Sequence, residues 1–148
     1  MRKQICALMA AVVASGGIAF AASHGGPDPI MMRQGAMQAN AAVFGNLVGM
    51  AKGNVPFDAK VVGGNLEALY FLSHAFGDYF PEGSGEGDTT TSGKVWEDAA
   101  GWTAALTKWQ DDIAAVQANM PTDAASVGAA IGAIGANCKS CHEGFRKS

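Results

Sequence analysis

The sequence predicts an all-α protein built as an antiparallel four-helix bundle. Three observations carry the prediction. Apolar residues recur at three- and four-residue steps through four stretches. No stretch shows the two-residue alternation of a half-buried strand. Asp, Pro and Gly clusters separate the stretches, mostly by short breaks, and short breaks place consecutive helices side by side and antiparallel.

The chain has 148 residues, enough for one domain; 49% are apolar and 16% charged, a balance that supports a packed core and argues against disorder. Its first segment stands apart. Arg2 and Lys3 precede an apolar, alanine-rich run from Ile5 to Phe20, and Ala19-Phe20-Ala21 has the small-x-small pattern of a signal peptidase site. Residues 1–21 are read as a signal peptide and 22–148 as the mature domain, exported to the periplasm. A run of 16 residues is short for a membrane span, so no stable membrane insertion is expected after cleavage. Losing Arg2 and Lys3 takes the net charge from −3 to −5, and an acidic chain without a basic stripe is not expected to bind nucleic acid. Cys6 falls in the leader, which leaves Cys138 and Cys141; one close pair is not a disulfide scaffold.

The first helix is expected from about Pro29 to Lys52. Asp28 suits the N-cap and Pro29 the first helical position, and Ile30, Met37, Phe44, Leu47, Val48 and Ala51 form the stripe. Gly53-Asn54-Val55-Pro56 ends it. The second starts after Asp58 and reaches Phe76 to Phe80 on Val62, Leu66, Leu69, Leu72 and Phe76, with an irregular start expected at Gly63-Gly64. Pro81 to Gly93 is a glycine- and threonine-rich loop, long enough to be functional or mobile. The third helix is expected as one piece from Lys94 to Asn119, carrying Trp96, Thr103, Leu106, Trp109, Ile113 and Val116; Trp96 and Trp109 are read as core and Trp102 as partly exposed. Thr122 or Asp123 caps the fourth, whose stripe of Val127, Ile131, Ile134, Cys138, Cys141 and Phe145 is the most regular period in the chain.

That stripe contains Cys138-Lys139-Ser140-Cys141-His142, which matches the attachment pattern of c-type haem. Two thiols three positions apart on a helix lie on one side and can add across the two vinyl groups of a porphyrin edge. The next residue, His142, is then placed to reach the iron, so the cofactor expected is one covalent haem c with His142 as metal ligand. A redox dithiol and half a zinc site are the bland alternatives. No βαβ pattern surrounds the pair, and no second Cys or His pair completes a zinc site. Six residues follow His142, so any second axial ligand must come from upstream, on another helix.

The chain resembles the class II c-type cytochromes, cytochrome c′ and its low-spin relatives, over essentially the whole mature length. The resemblance rests on Cys138 to His142 with Phe145-Arg146, Met32-Arg33-Gln34 with Met37, and Lys52-Gly53 with Phe57-Asp58-Ala59. It also rests on Phe80-Pro81-Glu82-Gly83-Ser84 and Val95-Trp96. It implies haem bound between the helices, and often a homodimer packed through the first two. It implies Arg33 and Gln34 near the haem and its propionates, Met37 over the open haem face, Arg146 on the His142 side, and Thr90 and Thr91 as loop contacts. Spacing agrees for Arg146, since positions 142 and 146 share a helical face. The family usually has a proline where this chain has Gly93, a departure that touches the loop residues.

Met37 is a fork. As a lid it leaves five-coordinate iron with an apolar pocket that admits NO or CO; as a thioether ligand it makes a low-spin electron carrier that serves redox partner proteins. The lid reading is preferred on sequence similarity. His74 lies off the apolar stripe and is expected at the surface, and His24 lies in the mature N-terminus. No nucleophile–base pair stands out, so an enzyme is not expected.

Overall fold

The structure, a computed structural model, describes residues 26–147. The expected signal peptide and its expected cleavage site, with Cys6 and His24, lie outside the described residues. Among the described residues there are five α-helices: α1 (Pro29–Ala51), α2 (Ala59–Phe76), a short α3 (Lys94–Glu97), α4 (Ala99–Ala118) and α5 (Ala124–Phe145), with a 3-10 turn at Gly77–Tyr79. The four long ones form the antiparallel four-helix bundle, with α1 and α4 each packed against both α2 and α5. Among the described residues no helix is long and apolar enough to cross a membrane.

Local chemistry sets most boundaries. The Asp28 carboxylate accepts from Ile30 N (2.9 Å) ahead of Pro29, and Asp58 accepts from Lys60 N (2.8 Å) and Val61 N (3.1 Å). Asp123 and Ser126 form a reciprocal capping box that opens α5. Gly53, at φ 72°, makes the left-handed turn that ends α1.

Three expectations need correction. Gly63-Gly64 does not disturb α2, because Asp58 already satisfies two free N–H groups and Val62, Leu66 and Leu69 are buried on one continuous stripe. The third stretch is two helices. Asp98 leaves the helical region (φ −119°, ψ 63°) and its carboxylate caps Gly101 N at 2.9 Å, starting α4 afresh. A Cβ at Gly101 would meet that carboxylate, so a larger residue there would need the Asp98 side chain to shift. Trp102 is buried, with its ring 4.6 Å from Phe80 and 5.2 Å from Phe145.

The core has two parts. Leu47, Met50, Val62, Leu66, Leu69, Ile113, Val127 and Ile134 fill the end of the bundle near the α1–α2 and α4–α5 turns. Ala36, Phe76, Val95 and Trp102 form a smaller aromatic cluster toward the other end, joined by Met37, Phe80, Trp109, Cys141 and Phe145.

Candidate functional site

A cavity of about 460 Å³ opens beside the aromatic cluster. Its wall includes all nine residues singled out in the sequence: Arg33, Gln34, Met37, Thr90, Thr91, Cys138, Cys141, His142 and Arg146. Four parts of the chain supply them. α1 presents Arg33, Gln34 and Met37 one helical turn apart, and α5 presents Cys138, Cys141 and His142. The loop supplies Thr90 and Thr91, and the C-terminal segment supplies Arg146.

The loop is fastened on both sides. Arg33, 4% exposed, donates from Nη1 to Tyr79 O (3.1 Å) and Ser84 Oγ (2.9 Å), and from Nη2 to Ser84 O (2.7 Å). Its guanidinium also lies over the Phe80 ring, 4.9 Å from the centroid. Gln34 Nε2 donates to Asp88 O at 3.0 Å. At the far end Ser92 N donates to Phe145 O (2.9 Å), Lys147 N to Thr90 O (2.7 Å), and Arg146 Nε to Thr90 Oγ1 (3.3 Å). The Gly93 departure therefore leaves Thr90 and Thr91 on the cavity wall.

Two sequence arguments change here. Arg146 does not share a helical face with His142: α5 ends at Phe145 and Arg146 is extended (φ −109°, ψ 143°), drawn into a bridge with Thr91. The fully buried positions of α5 are Val127, Ile134 and Asn137. Cys138 and Cys141 are displaced from the expected inner stripe onto the cavity wall, because Asn137 takes the interior position. Asn40, Phe44, Phe76, Trp102, Trp109 and Asn137 also line the cavity and were not expected there. Asn40 and Phe44 were accessible from helical spacing, since they follow Met37 at steps of three and four.

Burial pushes the Cys138 and Cys141 thiols up, so both are protonated at neutral pH. Burial first, and the Arg146 charge second, lower His142, which keeps its imidazole neutral and able to bind a metal. Arg33 is lowered by burial, with Asp28 opposing. Its Nε is buried without a partner, and among the described residues no carboxylate forms an ion pair with it.

These features fit a tethered porphyrin. The wall is predominantly apolar and the volume falls within the ~300–1,000 Å³ usual for cofactor sites. Two thiols and a neutral imidazole stand along one helix, and the unpaired guanidinium suits an acidic ligand group such as a propionate. A bare metal ion fits less well: among the described residues no group of three or more His, Cys, Asp or Glu is placed to hold one.

The cytochrome C' family model matches residues 28–146. The chain belongs to the cytochrome c′ family. It is 38% identical over 125 residues to cytochrome c′ of Rubrivivax gelatinosus, covering 81% of this chain and 95% of that one. The crystal structure of that relative superposes with a TM-score of 0.74. It is 36% identical over 114 residues to cytochrome c-556 of Agrobacterium fabrum, 77% of each chain. Two variants of cytochrome c prime from Alcaligenes xylosoxidans also match. One, a nitric oxide complex, is 32% identical over 81% of this chain and 94% of that one, with a TM-score of 0.73. The other has carbon monoxide bound and is 33% identical over 82% and 95%, with a TM-score of 0.74. Covalent haem c is the cofactor of cytochrome c′ proteins, and this chain presents Cys138 and Cys141 in a C-x-x-C-H run.

Proposed function

We propose that this cytochrome c′ family member is a periplasmic haem protein with five-coordinate iron, taking part in electron transfer and in NO or CO binding. Cys138 and Cys141 would tether the haem c and His142 would bind its iron. Arg33 and Gln34 attend the propionates, with Thr90, Thr91 and Arg146 at the cavity rim. Bound haem c supplies a one-electron centre and a coordination position for a diatomic gas. The chain holds it, excludes water from the open face with apolar side chains, and keeps His142 neutral.

The observation that carries the five-coordinate reading is Met37. It packs into the aromatic cluster with Phe76 and Trp102, as an apolar wall residue does, while His142 stands on another wall of the same cavity. The NO and CO complexes of the Alcaligenes xylosoxidans relative support gas binding. Arg2, Lys3 and the apolar run after them support export through cleavage after Ala21. Exposed Met31 on α1, and Val61 and Phe71 on α2, support pairing of two copies through these helices. The cavity chemistry supplies cofactor ligands rather than a nucleophile–base pair, so electron carriage and gas binding are proposed in place of catalysis.

The test is the visible and EPR spectrum of the ferric protein, and the ferrous spectrum with and without CO. High-spin ferric haem and ready CO binding at neutral pH are expected. A purely low-spin ferric spectrum that is lost in Met37→Ala would instead establish His142/Met37 ligation and a plain electron carrier.

A further inference from the structure

Among the described residues, α5, which carries the attachment cysteines, is joined to α4 by one side-chain hydrogen bond. Asn137 directly precedes Cys138, lies one turn before Cys141 and is only 4% exposed. Its Nδ2 donates to Asp112 Oδ2 on α4 at 2.7 Å and to Ala133 O on its own helix at 3.3 Å. Asp112 Oδ2 also accepts from Lys108 Nζ at 2.7 Å, one turn earlier on α4. Among the described residues, Asn137 to Asp112 is the only side-chain hydrogen bond between α4 and α5.

Toward the α4–α5 turn that seam is aliphatic, with Ile113, Val116, Val127, Ile131 and Ile134 in one cluster, and beyond Cys141 Trp102 packs edge-on against Phe145 at 5.2 Å. Aliphatic contacts are non-directional and leave small slides and rotations open, whereas a buried hydrogen bond has a fixed donor and acceptor. A carboxylate accepts only, so Asp112 also settles which end of the Asn137 amide faces it. Hydrogen bonds from Lys108 and then Asn137 hold the Asp112 carboxyl below the usual carboxylate range against the opposing effect of burial. Asp112 is therefore ionised at neutral pH and the bond to Asn137 is charge-assisted.

We propose that Asp112 is a positioning residue for haem attachment, acting through Asn137 to fix the turn of α5 that presents Cys138 and Cys141 to the cavity. The proposal rests on the haem reading above. Asp112 itself lines a different surface recess, and Asn137 links it to the haem cavity wall.

The test uses the full chain matured with haem-attachment machinery, compared with Asp112→Ala, Asn137→Ala, the double variant and Asp112→Asn. Intact mass measures the fraction covalently loaded, the ferric EPR spectrum of the loaded fraction reports the His142 setting, and circular dichroism reports helicity. Each alanine variant is expected to lower covalent loading by about threefold or more and to broaden the EPR signal, with the double no worse than the poorer single. Asp112→Asn keeps an acceptor oxygen for the Asn137 amide and is expected to load and resonate like the wild type. Normal loading and EPR in the alanine variants, compounding losses in the double, or an Asp112→Asn variant as impaired as Asp112→Ala would each overturn the proposal. Should Asn137→Ala lose helicity, Asp112→Ala carries the test, since Asp112 retains 28% side-chain exposure. Unfolding of both would also overturn it, because the pair would then hold the whole bundle rather than one turn. A colourless wild type would sink the haem reading itself; a loaded wild type beside indifferent variants sinks only the positioning.

Discussion

The two ends of the bundle are built on different principles. At the end near the α1–α2 and α4–α5 turns, Leu47, Leu66, Leu69, Ile113, Val127 and Ile134 are each no more than 2% exposed and close against one another. At the cavity end, Phe76, Phe80, Trp102 and Phe145 pack edge-on or tilted around an opening. Among the described residues, Arg33, Asn40 and Asn137, three of the four buried polar or charged residues, line that opening; Ser73 is the fourth. Aliphatic packing supplies stability without direction, and the aromatic and hydrogen-bonded end supplies direction. The division lets a site carry unpaired polar atoms while the other end holds the fold together.

Leu66→Ala tests that division most severely. Leu66 is 1% exposed in the closed end, so its truncation is expected to cost roughly 2–5 kcal/mol in denaturant unfolding. The visible spectrum of the surviving folded protein should stay unchanged. A spectral change would mean that the two ends are coupled.

Arg33→Ala is the matching change at the cavity end. It removes three hydrogen bonds to residues 79 and 84 and the contact with Phe80, an expected cost of about 1–3 kcal/mol. Its signature is local: amide hydrogen exchange should rise across 81–91 and remain slow at Leu66 and Ile113. Arg33→Lys should recover only part of the protection, because an ammonium cannot reproduce the guanidinium's fork.

Asp58→Ala removes a helix cap at the closed end, with about 1 kcal/mol lost in the same unfolding measurement and no change in haem spectra. The smallest effect is expected from pH. The folded Asp112 carboxyl titrates below its unfolded value, so its contribution to stability is complete above the usual carboxylate pKa of about 3.9. That contribution is lost as pH falls through the lower folded value. Asp112→Asn should therefore flatten part of the stability decline below about pH 4; an unchanged acid limb would show that the carboxylate adds nothing there.

The helix starts were legible because Asp28, Asp58 and Asp123 cap their own chains within three residues. Asp98 is the same kind of residue, but it lies inside a long apolar period that predicts one unbroken helix; only the backbone shows that it restarts the helix. Trp102 was misplaced because its burial depends on Phe80 and Phe145, which reach it from a loop and from α5. The spacing of Cys138, Cys141 and His142 announced a haem site, and the resemblance supplied Arg33, Gln34 and Met37. Asn40 was signalled only by its spacing from Met37, and Asn137 carried no signal of its own, since a polar residue in an apolar stripe has no meaning until its partners are known.

Four amphipathic periods, three carboxylate caps and one C-x-x-C-H run lie in the amino-acid order, because each acts between residues a few positions apart. Tertiary structure decided what depends on distant partners: the loop clasped between Arg33 and Arg146, the extended exit after Phe145, and Asn137 rather than Cys138 in the interior position of α5. Periodicity ranks residues by face to within one position. The choice between neighbours falls to the hydrogen bonds and rings that reach across from other helices.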